Sequence, residues 1–170
     1  VTAVYEGTRP LVLEVQALTS QTNIGFARRT SIGVENSRLN MRLAVLEKKM
    51  GLSLINRDVY VNIVGGVRPE GTYTDLAVAL AVYSSYKGKA IGSKTIALGE
   101  IGLTGDLRAV QNGEKILKEA AKLECIVLPV RNAQRLKKIS AEINDRRKAE
   151  GIAGVQLIGI KNIAEIQRLF

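Results

Sequence analysis

The run Gly71-Thr72-Tyr73-Thr74-Asp75 gathers three hydroxyls and a carboxylate at the head of the apolar stretch Leu76–Tyr83. Acyl transfer is the chemistry such a run could support, and its residue types argue against it. A tyrosine phenol, with a pKa near ~10, is bulky and a poor acyl-transfer nucleophile. Thr72 and Thr74 read as helix-start caps rather than catalysts. Asp75 suits the positive end of a helix dipole. The chain has no histidine and one cysteine, Cys125. That removes Cys/His zinc sites, the Ser-His-Asp triad and the Cys-His dyad together. Cys125 sits in the apolar run Cys125-Ile126-Val127-Leu128 and reads as a small buried hydrophobe. No Gly-x-Gly-x-x-Gly opens a helix and no Gly-x-x-x-x-Gly-Lys-Ser/Thr loop occurs, so these residues offer no cofactor loop and no ATP site.

The net charge is +9, with a pI near 9.8. Such a balance draws a protein toward polyanions whatever its fold. With two Phe, five Tyr and no Trp there is no dense aromatic platform, so any nucleic-acid binding should rest on phosphate contacts. Arg38, Arg42 and Lys49 fall on one predicted helix face, away from the stripe Leu39, Leu43, Leu46 and Met50. Arg28 and Arg29 continue the row on a neighbouring strand. The row reads either as a solvated face or as a phosphate-tracking surface. Like charges four residues apart repel by a few tenths of a kcal/mol (about 0.2–0.5), which favours an anionic partner. A second basic cluster, Lys137, Lys138, Arg146, Arg147 and Lys148, is interspersed with Glu142, Asp145 and Glu150 and reads as a solvated helix.

These residues need a scaffold, and 170 residues are the size of one domain. Alternation predicts strands over Leu11–Leu18, Ala27–Gly33 and Arg57–Val64. Helical spacing predicts a first helix from Ser37 to Met50, with Gly51 as its cap, and a second that starts near Thr72–Thr74 and ends before Gly88. The second is alanine-rich and apolar almost all round, hence buried between layers. A hairpin-like segment is expected from Thr95–Gly99 through Gly102–Gly105 to Leu107–Val110. A third helix (Gly113–Leu123), a strand (Cys125–Val130), a basic helix (Ala133–Lys148), a strand (Val155–Ile160) and a closing helix (Ile163–Leu169) complete the chain. The result is an α/β class with a mixed sheet, one domain over residues 1–170. The longest apolar run, Leu76–Tyr83, is far too short to span a membrane. A cytoplasmic location is the default expectation.

Three segments carry a family resemblance: Glu6–Leu18; Arg28-Arg29 with Gly33 and Asn36–Lys49; and Val61–Asn132, which includes Asn62-Ile63-Val64-Gly65-Gly66 and Gly99-Glu100-Ile101-Gly102-Leu103-Thr104-Gly105. Together they resemble the C-terminal domain of the RadA (Sms) family of bacterial DNA repair proteins, whose frame is similar to the Lon proteolytic domain. The resemblance implies a Lon-like fold, itself similar to the second domain of ribosomal protein S5. It implies no catalytic residue. Lon enzymes use a Ser-Lys dyad; here Tyr73 takes the serine's place, and the lysine position falls on Glu114, or on Lys115 with a one-residue shift. ATP, Mg and zinc are expected only in an N-terminal part of such proteins, a RecA-like ATPase and a four-cysteine zinc finger. The implied role is a non-proteolytic scaffold and DNA-binding domain in an ATPase that promotes branch migration. Its partners would be single-stranded or branched DNA, further copies in a hexameric ring, and the recombinase machinery, with no membrane. The alternatives are an active Lon-type Ser-Lys peptidase and a purely structural ring-assembly domain.

Overall fold

A computed structural model describes residues 2–6, 9–23, 25–66, 68–69, 71–119 and 123–170. Among them the order is β1 (Thr2–Glu6), β2 (Arg9–Leu13), β3 (Val15–Gln21), β4 (Arg29–Ile32), α1 (Asn36–Met50), β5 (Arg57–Ile63), α2 (Asp75–Lys87) and β6 (Thr95–Ala97). Then come β7 (Glu100–Ile101), β8 (Leu107–Arg108), α3 (Gly113–Glu119), β9 (Cys125–Pro129), α4 (Val130–Ala149), β10 (Gln156–Ile160) and a closing 3-10 helix (Ile163–Leu169).

Two three-stranded sheets carry the architecture. In one, β5 lies between antiparallel β3 and parallel β4, with Val15 opposite Ile63 and Arg29 opposite Val59. In the other, β9 lies between β10 and β6, and all three are parallel. Parallel neighbours need a crossover, which α3 and α4 provide. Alternation along β6 and β9 then builds two cores. Ala97 and Val127 face α2 in the larger cluster, with Leu39, Leu43, Leu46, Val59 and Val61. Ile96, Leu98, Ile126 and Leu128 face the other way, onto Ile116, Leu117 and Leu136 of α3 and α4. Helix α2 is apolar nearly all round because it is packed on nearly all sides, every residue from Asp75 to Leu80 being buried. Gly51 and Gly88 end α1 and α2 in the left-handed region, at φ +66 and +63, as a C-terminal glycine allows.

Several expectations need correction. Leu11–Leu18 is not one strand: it breaks at Glu14, because β2 pairs with β1 while β3 pairs with β5. Strand β1 was not anticipated. The segment Thr95–Ala97 is no hairpin arm, being buried on both faces and hydrogen-bonded to β9. The true hairpin is β7–β8, closed around Gly102–Gly105, where Gly102 N–H donates to Asp106 C=O at 2.9 Å. A Cβ on Gly102 would fall 2.4 Å from Asp106 Oδ1, so a larger residue there would turn the Asp106 carboxylate away from the Thr104 hydroxyl. The predicted third helix is described over Gly113–Glu119; residues 120–122 lie outside the described residues, and Leu123, expected in the helix, is not helical. In α4, Lys137, Lys138, Arg146 and Lys148 are exposed, but Arg147 is buried and donates to Leu123 C=O at 3.1 Å. The solvated-helix reading therefore fails at that residue, whose guanidinium satisfies a carbonyl beside α3. The last helix is a tight 3-10 turn, begun by an Asn162–Glu165 capping box.

Candidate functional site

The turn ahead of α2 is clamped from several directions. Gly71, at φ +92, admits the bend. Thr72 Oγ1 donates to Glu100 Oε2 at 2.7 Å, and Glu100 Oε1 accepts from Arg108 at 3.1 Å. Tyr73 C=O accepts from Gly99 N–H at 2.9 Å, and Gly99 C=O accepts from Leu76 N–H at 3.1 Å. The Tyr73 ring is half-buried against the second core. Thr74, expected to cap, is buried and makes no side-chain cap hydrogen bond. The turn is thus latched by Tyr73 and Leu76 to Gly99, just ahead of β7, and by the Thr72 hydroxyl to Glu100 of β7. Glu114 and Lys115 are exposed on α3, where they line a cleft of about 570 Å³ with Asn132 and Arg135. Tyr73 is not among that cleft's walls.

Asp75, the first residue of α2, is only 2% exposed and collects four donors from three residues. Arg38 Nε reaches Oδ1 at 2.8 Å and its Nη2 reaches Oδ2 at 3.3 Å. Arg42 Nη2 lies 2.7 Å from Oδ2, and Ile101 N–H donates to the same oxygen at 3.1 Å. A carboxylate this deep needs opposite charge and hydrogen bonds, and the four-residue spacing of Arg38 and Arg42 presents both guanidinia to it.

The proposed basic row is therefore not one surface. Arg42 is 8% exposed, with a buried Nε that has no partner among the described residues. Arg38 is partly buried on the same carboxylate. The expected solvated helix face is corrected at these two positions: they fasten α1 to α2. Arg28 and Lys49 are exposed, while Arg29 is half-buried with Nη2 3.4 Å from Leu54 C=O. Lys49 runs its stem along the β7–β8 hairpin, its Cγ being 3.1 Å from where a Cβ on Gly105 would stand. Sequence reasoning placed Asp75 at the helix dipole but missed it as the arginines' anchor. The signal was there: a lone acid heading a long apolar run cannot stay unpaired.

Other acids do structural work. The Arg28 N–H and the Thr22 hydroxyl hold the Asp58 carboxyl below its usual range. The Thr104 hydroxyl does the same for Asp106 in the hairpin. Burial pushes the Cys125 thiol up, against a smaller opposing hydrogen bond to Thr95. Among the described residues no three His, Cys, Asp or Glu side chains converge as metal ligands, and no helix is long and apolar enough to cross a membrane.

Relatives share this frame. The DNA repair protein RadA of Bacillus subtilis is 37% identical over 170 residues, covering 99% of this chain and 34% of its own length. That of Halalkalibacterium halodurans is 42% identical over 134 residues, covering 78% of this chain and 29% of its own length. That of Listeria monocytogenes is 39% identical over 165 residues, covering 97% of this chain and 34% of its own length. The chain spans about a third of the length of the curated relatives it matches. Residues 15–132 match the family model ChlI, described as subunit ChlI of Mg-chelatase, and the chain belongs to that family.

Proposed function

We propose that this chain is a non-proteolytic, Lon-like scaffold and DNA-contacting domain of a DNA repair ATPase that promotes branch migration. One observation carries the non-proteolytic half. The turn where a nucleophile would stand presents Tyr73, packed on a core, with Thr72 committed to Glu100 and Asp75 to two arginines. The Thr72 hydroxyl and the Asp75 carboxylate there hold structure, and the remaining candidate nucleophile is a bulky phenol. The DNA half is supported by the relatives' name and by the net charge of +9. ATP, Mg and zinc belong, on this reading, to portions of a longer protein beyond this third. The phosphate contacts fall to Arg28, Arg29 and Lys49, with Arg38 and Arg42 acting through the fold. Recombinase machinery and a cytoplasmic setting follow from the same reading.

A second reading, assembly into a homo-oligomeric ring such as a hexamer, is favoured by the open face of the β3-β5-β4 sheet. Leu18 and Ile32 are 58% and 62% exposed there, and no element among the described residues covers them. Filter binding with single-stranded DNA, duplex DNA and RNA tests the first reading, with light scattering for the second. Salt-dependent DNA binding without casein hydrolysis is the expected result. Peptide hydrolysis abolished by Lys115→Ala would overturn the non-proteolytic claim, and a lack of DNA binding at low salt would overturn the other.

A further inference from the structure

Phe26 is 96% exposed, more than any other large apolar side chain among the described residues. A lone exposed apolar residue is ordinary. Its loop is not. Gly25, at φ +68, turns the backbone just ahead of it. On one side Thr22 N–H donates to Asn56 C=O at 2.9 Å, and the Thr22 hydroxyl donates to Asp58 Oδ1 at 2.8 Å. On the other, Arg28 N–H donates to that same Asp58 oxygen at 2.7 Å, and Arg28 C=O accepts from Val59 N–H at 2.8 Å. Both shoulders are pinned to β5 or to the turn that leads into it, and the ring stands in water between them.

The exposed charge next to Phe26 in the chain is basic. Arg28, two residues on, is exposed, and Thr22 and Arg28 both bind Asp58, the residue that follows Arg57 on β5. The neighbouring carboxylate, Asp58, already holds the Thr22 hydroxyl and the Arg28 N–H. A matching ligand therefore offers anionic groups and flat apolar faces a few ångströms apart. Single-stranded nucleic acid has that repeat, whereas a duplex hides its base faces in the stack. Stacking on an aromatic ring beside a basic groove is how sequence-tolerant single-strand binding is built.

We propose that Phe26 is a base-stacking residue for single-stranded DNA, with Arg28 taking the adjacent phosphate. The proposal rests on the DNA-contact reading above and deepens it. The chain has no tryptophan, so Phe26→Trp installs a unique fluorophore. Titration with a labelled oligothymidylate, followed by anisotropy and by indole emission, should show quenching that tracks the binding curve. Phe26→Ala should weaken binding about 5- to 150-fold with the salt slope intact, since stacking releases no counterion. Arg28→Ala should instead lower that slope by about 0.7. Neither variant should shift the melting temperature appreciably. Indole emission unmoved at saturation, or wild-type affinity in Phe26→Ala, overturns the stacking role and leaves DNA binding standing. Emission that shifts with protein concentration alone assigns the ring to a contact between copies and also overturns it. No anisotropy change with the unmodified chain overturns both this role and the reading beneath it.

Discussion

Replacing Asp75 by asparagine removes one charge and almost no volume, and the structure gives the cost. Arg42, 8% exposed, would keep its charge with no carboxylate, beside a buried Nε that already lacks a partner. Arg38, whose side chain is 22% exposed, can swing toward water and suffers less. Breaking a buried ion pair by deleting one partner typically costs about 3–5 kcal/mol, because the other charge is stranded. For a domain of this size each kcal/mol lowers the melting temperature by about 2–4 °C, giving a fall of about 6–20 °C. Urea unfolding followed by circular dichroism would measure it, with Arg38→Ala as the milder control at about 1 kcal/mol or less. The loss should be nearly the same in low and high salt, since mobile ions do not screen a buried pair. A loss under about 1 kcal/mol for Asp75→Asn would mean the pair is solvated, like a surface bridge, and would return both arginines to the open face. The same measurement governs any DNA assay of Arg42→Ala, which must be run where the variant is folded.

Gly102→Ala should cost about 0.5–1.5 kcal/mol, because the new Cβ would meet Asp106 Oδ1 at 2.4 Å and turn that carboxylate off the Thr104 hydroxyl; an Asp106 titration by NMR that stays as low as in the wild type would refute it. Asp58 and Asp106 are both held below the usual carboxyl value of 3.8, so their contribution is complete above that value and is lost as pH falls through their lower folded values. Asp58→Asn should therefore flatten the drop in urea midpoint below about pH 4, and an unchanged acid limb would refute the pairing. Cys125, pushed above its usual 9.0 by burial, should alkylate about tenfold more slowly in the folded chain than in urea at pH 8, and equal rates would show it to be exposed. Its contribution to stability is complete below the unfolded thiol's pKa and is lost as pH rises through the folded value.

Much of the scaffold was legible because local chemistry and global packing agree. The Leu39, Leu43 and Leu46 stripe, the Gly51 stop and the alternation of Val59, Val61 and Ile63 each state their environment within a few residues. What was not legible depends on partners distant in sequence. Nothing local marks Glu14 as the point where one apolar run passes from a β1 partner to a β5 partner. Thr95-Ile96-Ala97 looks like a hairpin arm until β9, some thirty residues on, is known to claim it. The arginines show the same limit. Helical spacing correctly put Arg38 and Arg42 on one face, but which face was buried depended on a carboxylate 33 or more residues away.

Helix α2 lies against β3 and β5 of one sheet and β6 of the other, with Ala77, Val78, Ala79 and Leu80 each at most 4% exposed. Neither sheet can come away without stripping apolar surface from that shared helix, so the two cannot melt in turn. The domain behaves as one cooperative unit, and an unfolding event that starts in either sheet becomes the unfolding of both.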